Sequence, residues 1–202
     1  MTKTENKRDK ANAQRRRQIL DAAFMCFLEN GYHQTGVREI AKRAGISLGN
    51  LYNHFSGKHD VLAEIATLER AELEPFLNLL AQEKPADAVL AEFVTGYAEY
   101  LSSPENVILT LEITCEALRK PDIAVLFTES RTALVTAVIG LIERGVREGS
   151  LTAVADVEET AHLLIELIEG RAYRAAIDGA PLKRVLAGLR EFVSAALVAR
   201  NL

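Results

Sequence analysis

Apolar residues recur along this chain at intervals of three and four, and glycine or proline stands at most points where the pattern changes phase. That period puts one face of a helix into a core and leaves the other wet, whereas a strand needs alternation by two. Ile19, Leu20, Ala23, Phe24, Phe27 and Leu28 form the first such stripe, from about Gln14, with Gly31 placed to stop it. Beyond Lys58, helices are expected over 58–81, 86–101, 105–118, 122–148, 156–177 and 181–199. Pro85, Pro104, Pro121 and Pro181 sit at the breaks, where proline suits a first turn. Pro75 falls inside the first of these and should bend or divide it. The expectation is an all-α fold of about nine helices.

Length and composition sharpen this. The 202 residues, 49% hydrophobic and 26% charged, can bury a well-formed core in one or two domains. Residues 1–13, with KTENKRDK, lack an apolar period and read as a flexible basic arm. With the arm set aside, domains are expected over 14–57 and 58–202. Charge divides at the same place: eleven Lys/Arg face five Asp/Glu through Lys58, and thirteen face twenty-three beyond it. A basic end on an acidic body points to an anionic partner for the first part. Cys26 and Cys115 are two isolated thiols, the usage expected of a reducing, cytoplasmic setting. The basic, polar N-terminus does not read as a signal peptide, and no uninterrupted apolar run is long enough to cross a bilayer, so no membrane partner is expected.

Residues 37–55 have the layout of a helix-turn-helix. Val37, Ile40, Ala41 and Ala44 give a short helix one apolar face, Gly45 ends it, and Ser47 can cap a second helix with Leu51 and Phe55 turned inward. In that motif the second helix enters the major groove with its first residues against base edges. Asn can pair with adenine, Leu can pack on a thymine methyl, and Gly permits close backbone approach. Tyr52, His54 and Lys58 supply donors for phosphate oxygens, and Ser56 can cap a further helix whose dipole favours the same anion. Arg15, Arg16 and Arg17 are either a solubilising run or further phosphate contacts.

The runs T-x-x-x-x-I-A-x-x-A-G-I-S and G-x-L-Y-x-H-F-x-x-K in TGVREIAKRAGISLGNLYNHFSGKHDVL resemble the DNA-binding signature of the TetR/AcrR family of bacterial transcriptional regulators. RRRQILDAAFMCFLENGY is similar to that family's first helix, so the detailed resemblance spans about residues 15–62; EITCEALRKPDIAVLF is similar to a segment of some members. The resemblance implies a homodimer whose N-terminal domain binds double-stranded operator DNA. It also implies a C-terminal domain that holds a small-molecule effector and the dimer interface. Carried over, Ser47 caps the recognition helix, and Leu48, Gly49, Asn50 and Asn53 face bases. Tyr52, His54 and Lys58 hold the backbone, helped by Thr35. Two departures alter the pattern: Gly36 stands where many members have a hydroxyl, and Asn50 replaces the usual glycine before Leu-Tyr.

Other classes fit less well. His59-Asp60 is the dipeptide of metal-dependent phosphohydrolases, but the further ligands that chemistry needs are missing, with only three other histidines in the chain. Glu159 and His162 make a single Glu-x-x-His, where di-iron bundles use two. No phosphate loop or nucleophile elbow occurs. The chain therefore reads as a binding protein and not an enzyme, with no cofactor or metal required; a helical adaptor that binds protein is the third class.

In the acidic body, Ala161 to Ile168 is apolar nearly all round, too hydrophobic for one buried face. Helices 156–177 and 181–199 are expected to form a four-helix seam with a second copy, through Leu163, Leu167, Gly170, Tyr173, Leu189 and Val193. Tyr97, Tyr100, Glu112, Cys115, His162 and Glu166 are polar groups embedded in apolar helices, suited to orienting an unknown effector.

Overall fold

Among the described residues ten helices make up the regular structure: α1 (Lys3–Gln34), α2 (Val37–Arg43), α3 (Leu48–Tyr52), α4 (Lys58–Glu72), α5 (Glu74–Leu80), α6 (Ala86–Leu101), α7 (Pro104–Ala117), α8 (Pro121–Glu148), α9 (Val157–Asp178) and α10 (Leu182–Leu197). The structure, a computed structural model, describes the backbone of residues 3–199 and the side chains of 9–199 other than 69, 70 and 127. No strand occurs among the described residues; Leu151 and Val198 form an isolated antiparallel bridge. Pro75 divides the expected 58–81 helix: Leu73 caps α5 and the proline occupies its first turn. That division accounts for ten helices instead of nine.

α1 starts earlier than its apolar stripe. Residues 3–13, expected as a flexible arm, continue the helix, while Met1 and Thr2 lie outside the described residues. The segment contains Lys, Glu, Arg and Ala and no proline or glycine, so a helix nucleated over Ile19–Phe27 can extend back through it one hydrogen bond at a time. At the other end Gly31, at φ 76° and ψ 160°, breaks the helical path as its position suggests.

The chain divides into two compact units, residues 1–69 with 108–127, and residues 70–107 with 128–202. This differs from a cut between 57 and 58. In the first unit Val61, Leu62 and Ile65 of α4 share a core with Ile19, Ala23 and Phe27 of α1, Ile40 of α2, Leu51 and Phe55. Leu109 and Ile113 of α7 and Ile123 of α8 complete it. α7 adds apolar cover to the core that α1, α2 and α3 share with α4.

In the second unit α6 packs with α5, α9 and α10. Phe93 and Tyr97, Leu134, Val138 and Leu141, Ile165 and Ile168, and Val185, Leu189 and Val193 close its core. Burying each such aliphatic side chain contributes about 1.5–3 kcal/mol. By length and composition α8 alone among the described helices could cross a membrane, with mean hydropathy 1.6 over its most apolar window. That hydropathy has a local use, since Leu134, Val135, Val138, Leu141 and Ile142 are core residues of this unit.

Candidate nucleic-acid interface and effector cluster

The recognition helix is built from its cap outward. Gly45 takes φ 64°, which lets Gly45 N–H reach Lys42 O (3.1 Å) and Ile46 N–H reach Ala41 O (3.0 Å), closing α2 in a tight turn. Ser47 Oγ then accepts the N–H of Asn50 at 3.1 Å, the capping role expected of it. Leu51 and Phe55 are buried beneath α3. With those two turned in, Gly49, Tyr52 and Asn53 face solvent, Tyr52 at 50% exposure. Leu48, Asn50 and His54 are half-buried at the margins, and Asn50 Oδ1 is sealed from solvent without a partner.

Polar side chains join α1 to this motif. Arg43 makes a double hydrogen bond to Glu29 (2.5 Å each) and Gln18 Nε2 donates to Ala44 O at 2.6 Å. Arg16 donates to His54 O at 2.7 Å, pairs with Glu64 and lies 4.4 Å over the Phe55 ring. It is thus a brace for α3 and α4, unlike the exposed Arg17. Its place one turn from the buried Ile19 and Leu20 was the only signal available in the sequence.

Two expected phosphate contacts are corrected. Thr35 is 1% exposed, and its hydroxyl donates inward to Gly31 O (2.8 Å) and Cys26 O (3.1 Å). Lys58 Nζ donates to the carbonyls of Tyr32 (2.7 Å), Thr35 (3.0 Å) and His33 (3.1 Å) and stands 4.4 Å over the Tyr32 ring. Both residues close the α1–α2 corner, because a helix end leaves carbonyls that need donors. The His59-Asp60 pair is also structural. Asp60 accepts the N–H of Ser56 at 3.0 Å and its hydroxyl, capping α4, and these bonds hold its carboxyl below the usual range. His59 Nε2 lies 2.6 Å from Asp122 Oδ2. Among the described residues no group of three metal-ligating side chains occurs.

Residues 19–65, which hold this helix-turn-helix, match the family described as bacterial regulatory proteins, tetR family, and residues 86–198 match the BetI-type transcriptional repressor C-terminal family. The chain belongs to the TetR family. It is a DNA-binding transcriptional regulator of that family. The transcriptional repressor KstR2 of Rhodococcus jostii is 30% identical over 145 residues, 71% of each chain. Among solved structures, a transcriptional regulator of Saccharomonospora viridis in complex with choline has TM-score 0.82 at 22% identity, covering 93% of this chain and 100% of that one. FadR of Bacillus subtilis in complex with stearoyl-CoA has TM-score 0.74 at 23% identity, covering 87% and 96%.

The second unit of this TetR-family chain holds a cluster of rings and charges. Phe76 packs edge-on to Tyr97 (centroids 5.3 Å), 5.6 Å from Tyr100 and 6.4 Å from Phe93, while Phe93 and Tyr97 stack at 5.4 Å. Tyr97 OH donates to Glu169 Oε1 at 3.1 Å. Arg131 grips both Glu169 oxygens (2.8 and 2.7 Å) and reaches Glu166 at 3.2 Å. Burial, then the nearby Glu169 carboxylate, pushes the Tyr97 hydroxyl well up. Burial works against charge on Arg131, but Glu169 and Glu166 outweigh it and raise that group.

Of the expected effector residues, Tyr97, Tyr100 and Glu166 therefore belong to this region, and His162 is a half-buried residue of α9. Glu112 and Cys115 fall in the first unit, where Glu112 accepts the Tyr32 N–H at 3.2 Å and Cys115 is exposed. Arg131 and Glu169 were missed; a lone cation in the apolar stretch of α8 was the available signal.

The expected dimer residues also divide. Leu163 is 56% exposed, Gly170 is exposed, and Leu167 and Tyr173 are half-buried. Leu189 and Val193 are corrected: they are 3% and 4% exposed, because the i, i+4 row Val185–Leu189–Val193–Leu197 turns α10 into its own unit's core. Phe192, unexpected, is 61% exposed. Leu163, Leu167 and Phe192 line an open, mostly apolar groove of about 520 Å³ between α9 and α10.

Proposed function

We propose that this TetR-family regulator is a homodimeric repressor, released from a palindromic operator by a small molecule. The observation that carries the DNA reading is the outward face of α3, where Gly49, Tyr52 and Asn53 stand open above buried Leu51 and Phe55. Leu48, Gly49, Asn50 and Asn53 read bases, and Tyr52 and His54 contact phosphates. Ser47 acts through its cap. Lys58 and Thr35 act on DNA only by fixing the corner that carries α2. A protein of this kind works in the cytoplasm, where its DNA is.

Dimerisation supports the reading because one five-residue helix reads too few bases, and two placed about 34 Å apart meet successive major-groove turns. The α9–α10 groove, with Leu163 and Phe192 exposed, is the surface a second copy covers. An effector would meet Phe76, Tyr97 and Tyr100 together with the Arg131–Glu169 pair. The fold is shared by proteins that hold choline in one case and stearoyl-CoA in another, so choline and stearoyl-CoA are two contrasting probes for this site.

Selection of bound duplexes from a random pool tests the proposal. An enriched palindrome with half-sites near one helical turn apart, released by a probe ligand, is the expected result. Recovery of no enriched sequence would contradict it.

A further inference from the structure

Within the first unit, α7 and the first turn of α8 present three carboxylates to the end of α1 and the start of α4. Glu112 takes the Tyr32 N–H, Asp122 lies beside His59, and between them the Glu116 carboxylate lies 2.9 Å from His33 Nε2 and 3.4 Å from Arg119. The pairing is lopsided. The Glu116 side chain is 3% exposed, whereas those of His33 and Arg119 are 66% and 59% exposed. A buried carboxylate depends strongly on whichever cation reaches it, and an imidazole gains or loses its charge between about pH 5 and 8.

We propose that Glu116 is a positioning residue for DNA binding, acting through His33, and that their pair makes operator affinity respond to protons. This rests on the regulator reading above. His33 lies in the corner that Lys58 and Thr35 close, four residues before α2 begins at Val37, and α2 carries α3 through the Gly45 turn. Holding His33 against α7 therefore fixes the platform from which α3 projects. Protonated His33 makes a charge-assisted bond to Glu116; neutral His33 makes a weaker one. The other charged or titratable groups facing the pair are Tyr32, whose ring lies 5.5 Å from that of His33, Lys58 on the His33 carbonyl, Arg119 beside Glu116, and Glu112, His59 and Asp122 along the same seam. His59, the other imidazole of the seam, keeps its Asp122 partner in every protein compared below.

The test compares the full chain with His33→Gln, Glu116→Gln and His33→Lys, titrating a selected duplex at about pH 6 and pH 8.5 at constant ionic strength. His54 is retained in all four proteins, so the difference between their profiles is the readout. The parent is expected to gain about fivefold more affinity on going to pH 6 than either Gln variant, and His33→Lys to keep the tight binding at pH 8.5. Parallel profiles, or steeper ones in the Gln variants, would overturn the proposal. Should Glu116→Gln fail to fold, His33→Gln, changed at an exposed side chain, decides alone. Melting without DNA separates this from the regulator reading. The Tm gap between parent and His33→Gln should narrow from pH 6 to pH 8.5, and a constant gap overturns the pair whatever duplex is selected.

Discussion

Lys58 carries its charge back into the fold, onto the carbonyls of Tyr32, His33 and Thr35, and these partners lie 23 to 26 residues away in sequence. Such a contact has no local signature, so an ammonium beside a groove-reading helix looks like a phosphate grip until the corner is seen. Lys58→Ala should lower the stability of the chain by about 2 kcal/mol, the loss of one charged donor shared by helix-end carbonyls, measured by urea denaturation. It should also weaken DNA binding on every sequence alike, through the displaced corner. Glu169 is a second residue whose role depends on distant partners. Glu169→Ala removes both Arg131 contacts and the Tyr97 acceptor. The expected cost is about 2 kcal/mol, discounted from a fully buried pair because both side chains keep some exposure, and thermal melting checks it.

Helices and their ends were the most readable level. α6, α8 and α9 form where the spacing placed helices, and Pro75 and Gly31 interrupt the chain where their chemistry requires. Extension of α1 back to Lys3 was not readable from periodicity, because residues 3–13 have no apolar face to mark it. The start of α4 yields a test. Asp60 accepts two hydrogen bonds from Ser56, and these hold its pKa below the ordinary value of 3.8. A depressed native value means the stabilisation is full above the unfolded titration, declines as pH falls below it, and is gone once pH has dropped through the native one. Asp60→Ala should therefore be less stable than the parent by roughly 1 kcal/mol at pH 7. Melts recorded from pH 7 down to about pH 2 should converge at the acid end.

At the scale of the molecule, charge asymmetry and the helix-turn-helix spacing located the DNA-binding part. They did not reveal that residues 108–127 belong to the same compact unit. Glu112 and Glu116 sit at i, i+4 on an apolar helix, a spacing that equally describes a solvated stripe, and only packing shows that they face Tyr32 and His33. Leu189 and Val193 erred for a similar reason: the row is apolar either way, and which of two partners it meets is a tertiary fact. The dimer claim now rests on Leu163, Leu167 and Phe192. Leu163→Glu should give a monomer in sedimentation at micromolar concentration and lose the operator with it; an unchanged dimer would place the interface elsewhere. The account depends above all on α3 reading bases in two symmetric half-sites, and duplex selection repeated with Asn53→Ala tests that most directly. The variant should lose about fivefold or more in discrimination, about 1–3 kcal/mol, at one position in each half-site while keeping the rest of the palindrome. Selection of the same sequence at the same strength by both proteins would contradict it.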